Sequence, residues 1–192
     1  MSKFRAVLLA SAVASISAMA LAAQEGTVQT VPNMYIYCQY RVAAIFPGEP
    51  MIRDIMYTNG SWTVPARQFY VERGMERYSV TIADFSKGGP AIDDTIVENA
   101  AIAIRQRGEV RIQFPEDYTP GIPGRQLNIS QPDGRLLLSS IYMADHRLYI
   151  AESSAPPSDF AAIQLEQSML LIDANGRDLN GVANVNRYAC RR

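Results

Sequence analysis

From Gly124 to Ile172 the alternation of hydrophobic and polar residues predicts a three-stranded meander that leads into an amphipathic helix. In the first strand Leu127 and Ile129 share one face, and Asn128 and Ser130 the other. Pro132-Asp133-Gly134 supplies the turn, because Asp and Gly tolerate the positive φ angles that tight hairpins need. In the next strand Leu136, Leu138, Ser140 and Tyr142 face one way, and Leu137, Ser139, Ile141 and Met143 the other. A polar turn at Asp145-His146 returns the chain as Arg147-Leu148-Tyr149-Ile150-Ala151. Pro156-Pro157 ends the sheet. Ser158 is placed to cap a helix carrying Phe160, Ile163, Gln167, Leu170 and Leu171 at near-helical spacing.

Upstream, the alternation from Tyr35 suits a single strand to about Ile45, where Pro47-Gly48-Glu49-Pro50 forces a turn. Met51 to Thr58 reads as a short strand closed by Asn59-Gly60, and Trp62–Glu72 and Tyr78–Phe85 as a hairpin joined through Arg73-Gly74-Met75-Glu76. After Ser86-Lys87-Gly88-Gly89-Pro90 the period changes from 2 to 3.6. Thr95 and Glu98 fit a capping box, Ile96, Ala100 and Ile104 form an apolar stripe widened by Val97 and Ala101, and Gly108 ends the helix. Gln113 to Gly124, rich in Pro and Gly, is expected to be an ordered loop. Strands, a helix, a meander and a last helix argue for an α+β fold, a mostly antiparallel sheet with two helices packed on it.

The N-terminus changes the boundaries of that domain. Lys3 and Arg5 precede a short apolar stretch, and Ala18-Met19-Ala20 and Ala20-Leu21-Ala22 both offer a small-x-small cleavage site. Residues 1–22 are therefore expected to be a signal peptide, 23–34 a polar arm, and 35–192 a single α+β globular domain. Removing Lys3 and Arg5 from 18 basic residues leaves 16 against 19 acidic ones, so the formal charge moves from −1 to −3. That balance leaves no basic cluster for a nucleic-acid backbone, and no later apolar run reaches the length of a membrane span. A periplasmic or secreted location follows, in the bacterial envelope that the Ala-rich leader suggests. Export also frames the two cysteines, Cys38 and Cys190, whose first reading is one disulfide across almost the whole mature chain. The rival readings are a buried Cys38 with a free thiol near the C-terminus, or an intermolecular bond.

Chemistry is sparse. The single histidine, His146, lies between Asp145 and Arg147 in an expected turn, and none of the nucleophile, phosphate-loop, CxxC or zinc-protease patterns occurs. Asp93-Asp94 sits at a helix start, where negative charge is favourable anyway, and neighbouring acids such as Glu116-Asp117 usually point apart. Asp173-Ala174-Asn175-Gly176-Arg177-Asp178 fails the calcium-loop pattern, so Asn175-Gly176 reads as a helix stop. The tyrosines are expected to be mostly half-buried strand residues. No catalytic, cofactor-binding or metal-binding residue is assigned, and no cofactor is expected.

Tyr40-Arg41-Val42-Ala43-Ala44-Ile45-Phe46-Pro47-Gly48-Glu49-Pro50 resembles the opening strand and FPG-x-P turn of PsbP-like proteins. So does the later combination of a meander containing Arg147-Leu148-Tyr149, a Pro-containing loop and a helix bearing Ser168. The resemblance runs over about Tyr35 to Ile172 and implies an α/β sandwich with a mostly antiparallel sheet. Many bacterial members of that group are exported and non-catalytic. Met169 stands where an aromatic often follows the Ser, Cys38 and Cys190 are outside the pattern, and no functional residue carries over.

Two functions compete on these grounds. One is a non-enzymatic envelope protein that binds a partner protein or assists an assembly. The other is a small-ligand carrier with a cleft between sheet and helices, for which Tyr142, Met143, Ile163 and Leu170 would line a void rather than pack as core. An enzyme would need an acid pair brought together from distant strands.

Overall fold

The computed structural model describes residues 34–87, 93–181 and 190. The expected signal peptide, nearly all of the polar arm and Gly88-Gly89-Pro90 lie outside the described residues. Among the described residues, ten strands, two α-helices and a 3-10 turn follow in order. They are β1 (Met34–Tyr37), the turn Cys38–Tyr40, β2 (Val42–Ile45), β3 (Met51–Asn59), β4 (Trp62–Arg73), β5 (Glu76–Asp84), α1 (Asp93–Arg105), β6 (Glu109–Pro115), β7 (Gly124–Ser130), β8 (Leu136–Ala144), β9 (Arg147–Ala155), α2 (Phe160–Ser168) and β10 (Leu170–Leu171). Seven strands form one antiparallel sheet in the order β3-β4-β5-β9-β8-β7-β6, and three form a second in the order β1-β2-β10. The α+β class expected from the element order is what the chain adopts.

The meander stands where the alternation puts it. Leu127, Ile129, Leu137, Ile141 and Met143 turn to one face of the large sheet, where α1 covers them with Ile96, Val97, Ala100, Ala101 and Ile104. Leu138, Tyr142 and Ala144 turn to the other face and meet Ala162, Leu165 and Met169 around α2, together with Val42 and Ala44 of the small sheet. Packing follows the pleat, one set of side chains to each layer. Asp145 and His146 both take positive φ (47° and 59°), the geometry of a tight hairpin turn. The Glu98 carboxylate ties α1 to the sheet by pairing with Arg105 of its own helix and Arg125 of β7.

Several expectations are corrected. The single strand from Tyr35 to Ile45 is two strands, because the 3-10 turn and Arg41, at φ 60°, fold β2 back antiparallel on β1. The stretch Gln113–Gly124 is not all loop: Glu109–Pro115 is the edge strand β6, bulged between Val110 and Ile112. Helix α1 begins at Asp93, so Thr95 lies in its first turn rather than at its cap. Gly108 lies beyond the helix end at Arg105 and is required by contact instead, since a Cβ there would stand 2.1 Å from the Ser130 carbonyl oxygen.

Helix α2 differs most. Its cap is Asp159, not Ser158, with the carboxylate accepting from the Ala162 amide at 2.8 Å. It ends at Ser168, and Leu170 and Leu171 leave it to pair with Ala43 and Val42 of β2. Phe160, expected in the apolar stripe, is 72% exposed, whereas the buried face is Ala162, Leu165 and Glu166. The Ser168 hydroxyl accepts from the Ile45 amide at 2.8 Å and so fixes α2 to β2. Asn175-Gly176 is accordingly no helix stop. It is a turn in which Asp173 Oδ1 accepts from the Asn175 and Arg177 amides at 2.7 and 2.9 Å. Tyr37, Tyr78, Tyr142 and Tyr149 are buried rather than half-buried.

Cys38 and Cys190 form a disulfide, with Cα atoms 5.4 Å apart and a sequence separation of 152. Both pack on the outer side of the small sheet with Ile36, Ala43 and Ile172. A bond of this kind persists in oxidising compartments. Among the described residues no helix is long and apolar enough to cross a membrane.

Candidate functional site

Helix α2 and the small sheet, with Tyr37 stacked on Phe69 of β4, cover this side of the large sheet but leave Met56 of β3 and Pro65 of β4 exposed. A cleft of about 500 Å³ results, floored by Met56, Pro65 and Ile82. Pro65 fits there because it lies one residue beyond the last β4–β5 pair, Ala66 with Ala83, where no ladder amide is needed. The 3-10 turn that follows β1 supplies the rim through Gln39 and Tyr40.

Charges of both signs stand over that floor. Arg67 lies opposite Asp54 across β3 and β4 and pairs with it, Nε to Oδ1, at 3.1 Å. The same Nε donates to the Tyr40 hydroxyl at 2.7 Å, with the guanidinium carbon 5.3 Å from the Tyr40 ring centroid. Across β5 and β9, Asp84 lies opposite Arg147, whose Nη1 donates to the Gln39 carbonyl at 3.3 Å. Burial pushes the Asp84 carboxyl up, but the Ser86 hydrogen bonds and the charges of Arg147 and Lys87 outweigh it and hold it below the usual range. The cleft therefore offers an apolar floor, an aromatic rim, one ion pair between Asp54 and Arg67, and the opposed charges of Asp84 and Arg147. Such a surface has the apolar and charged groups that an amphiphilic segment could contact.

A second cluster lies under α2. Glu166, only 8% exposed, accepts from the Ser140 hydroxyl on β8 at 2.6 Å. Burial raises its carboxyl; the Ser140 bond lowers it and the neighbouring Glu116 raises it again. Glu116 Oε2 is itself buried and has no hydrogen-bond partner among the described residues. The Tyr142 hydroxyl is pushed up to about 12, by burial first and then by Glu116. Tyr142 meets Tyr118 edge-on at 5.2 Å between ring centroids, and Tyr118 donates to Asp178 while accepting from the Leu171 amide at 3.1 Å. Burial and the Asp178 bond both raise the Tyr118 hydroxyl. Two carboxyls from distant parts of the chain thus come close enough for the charge of Glu116 to raise the Glu166 carboxyl. The adjacency pattern at Glu116-Asp117 gives no sign of it; only the fold joins Glu116 to Glu166.

The remaining candidates are scattered. His146 is exposed in its turn, and its carbonyl accepts from the Phe85 amide at 2.8 Å. Asp173, which gave the C-terminal stretch its calcium-loop look, spends its carboxylate on the Arg177 and Asn175 amides, and these hold it below the usual range. Among the described residues no group of three or more His, Cys, Asp or Glu is placed to hold a metal ion. Tyr142 and Met143 are core residues, Ile163 faces solvent and Leu170 packs with the small sheet, so none of these four lines the cleft.

No family model matches the chain, and no curated protein matches it. Among solved structures, the chain is similar to a Pseudomonas aeruginosa protein of unknown function at 15% identity and a TM-score of 0.32, over 56% of this chain and 85% of that one. A likeness of that size carries no argument about fold or role.

Proposed function

We propose that the protein is an exported, non-enzymatic module of the bacterial envelope that binds a partner protein through the cleft between the β3–β4 end of the large sheet and the 3-10 turn. The cleft carries this reading: Met56, Pro65 and Ile82 offer an apolar seat, while Asp54, Arg67, Asp84 and Arg147 orient a charged segment. The leader pattern, the disulfide and the resemblance to PsbP-like proteins support an envelope location. The volume of about 500 Å³ also suits a small ligand, which makes a carrier the second reading.

Crosslinking in the native envelope followed by co-purification tests both. A partner recovered with the wild-type chain should be lost with Tyr40→Ala and with Arg147→Glu, neither of which lies on β3. Capture undiminished by both variants would refute the cleft as the binding surface. A small molecule released from the purified protein, with no partner captured, would favour the carrier.

A further inference from the structure

β3 is the outermost strand of the large sheet, and among the described residues no strand pairs with its outer edge. It is nine residues long, Met51-Ile52-Arg53-Asp54-Ile55-Met56-Tyr57-Thr58-Asn59, and pairs with β4 in unbroken register. It has no proline and no bulge to protect its edge, and its two charges, Arg53 and Asp54, are both turned to partners on β4, Gln68 and Arg67. The opposite edge, β6, is broken by a bulge and ends on Pro115. Met51 and Met56, at 51% and 64% exposed, leave β3 apolar as well as open.

We propose that a second copy of the chain pairs with β3 antiparallel, about a two-fold axis through Ile55 and perpendicular to the sheet, joining two large sheets into one. The register follows from length and charge together. Ile55 is the centre of the strand, so this axis alone gives all nine residues an opposite neighbour. It sets Ile55 against Ile55 of the partner subunit, Arg53 against Tyr57 of the partner subunit, and Asp54 against Met56 of the partner subunit. Moving the axis to Asp54 or to Arg53 puts like charges directly opposite, which is destabilising. Moving it the other way shortens the ladder. Arg53 is already extended along its own sheet, donating to Gln68 at 2.8 Å and lying 4.5 Å from the Tyr70 ring centroid, so it does not obstruct the seam. Asp54 keeps its pair with Arg67. A perpendicular axis leaves both clefts on the same side of the joined sheet, flanking the seam. The pairing stands independently of what the cleft binds.

The test uses the mature chain with its native disulfide. Sedimentation across concentration should show a monomer–dimer equilibrium. Under mild oxidation Ile55→Cys should form a covalent dimer at least about ten times faster than Ile52→Cys, because cross-strand Cβ atoms at the axis lie about 5 Å apart. Position 56 tests the register without disturbing the core: Met56→Glu faces Asp54 of the partner subunit and should weaken the dimer about tenfold relative to Met56→Lys. A chain that stays monomeric to about 100 µM (a dissociation constant above that level,) overturns the proposal. Equal crosslinking at positions 52 and 55, or equal effects of Glu and Lys at position 56, overturns it too. Loss of partner capture by the cleft variants with the dimer intact would leave it standing.

Discussion

Ser140 on β8 gives its hydroxyl to Glu166 on α2 at 2.6 Å, joining the buried face of the last helix to the middle of the large sheet. The hydroxyl is the donor, so the bond also favours the ionised carboxylate, yet burial prevails and the carboxyl stays raised above its ordinary 4.5.

That relationship fixes a dependence on pH. The unfolded chain releases the Glu166 proton near 4.5, while the folded chain holds it to higher pH. Between those values the native state binds more protons, so this group's contribution to stability declines as pH rises from about 4.5 through the raised folded value, and stays low above it. Glu166→Gln keeps a carbonyl acceptor for Ser140 and removes the ionisation. Urea unfolding should show the variant at least as stable as wild type at pH 7, with a flatter profile through the same window. A variant less stable at pH 7 with an unchanged profile would contradict the assignment.

Close approach accounts for Gly124. A Cβ there would stand 2.4 Å from the Glu116 carbonyl oxygen and 2.3 Å from the Tyr142 ring, and the first of these is backbone that cannot swing aside. Gly124→Ala should cost about 1–3 kcal/mol, the usual penalty of overpacking. Because it displaces Tyr142 and the Glu116 segment, it should also alter tyrosine absorbance in the native state. Equal stability of variant and wild type in chemical denaturation would show that the strand start yields freely.

Why these two sites escape a reading of the sequence is a matter of distance along the chain. The β7–β9 meander is visible because alternation and turn residues are local: Leu127 and Ile129 and the Asp145-His146 turn need no information from elsewhere. Strand β6 also alternates, through Val110, Ile112 and Phe114, but the Pro- and Gly-rich stretch beside it obscures the pattern and the bulge shifts its phase. The break between β1 and β2 falls on Arg41 in a left-handed conformation that glycine more often marks. In α2 the apolar spacing extends past the helix because Leu170 and Leu171 serve β2 rather than the helix face. Glu116 with Glu166, and Tyr40 with Arg67, meet only after the sheets have formed.

The disulfide has a definite energetic consequence. It closes a loop with a separation of 152 residues and joins Cys190 to the 3-10 turn that rims the cleft. Chain entropy sets an upper bound of about 5 kcal/mol on its contribution. Thiol titration of the unfolded, unreduced protein should find no free thiol, and Cys38→Ser with Cys190→Ser should lower the unfolding free energy by several kcal/mol, up to about that bound. Two titratable thiols in the untreated protein would refute the bond.

His146 separates a structural role from a catalytic one. It sits at φ 59° beside Asp145 at 47°, so both turn residues occupy the left-handed region, and its own side chain is exposed. Asp-Gly is the preferred pair for such a turn, because glycine reaches positive φ without the Cβ contact that other residues carry. His146→Gly should therefore raise stability by up to about 1 kcal/mol, the relief being reduced by the greater freedom of glycine in the unfolded chain. A general base cannot be replaced by glycine without loss, whereas a turn residue can. Partner capture should remain at the wild-type level in His146→Gly and in His146→Ala, with only the former gaining stability. If either change abolished function in a protein that still folded and was still exported, the non-enzymatic reading would have to be withdrawn, and the exposed turn between β8 and β9 would become the place to look for the chemistry.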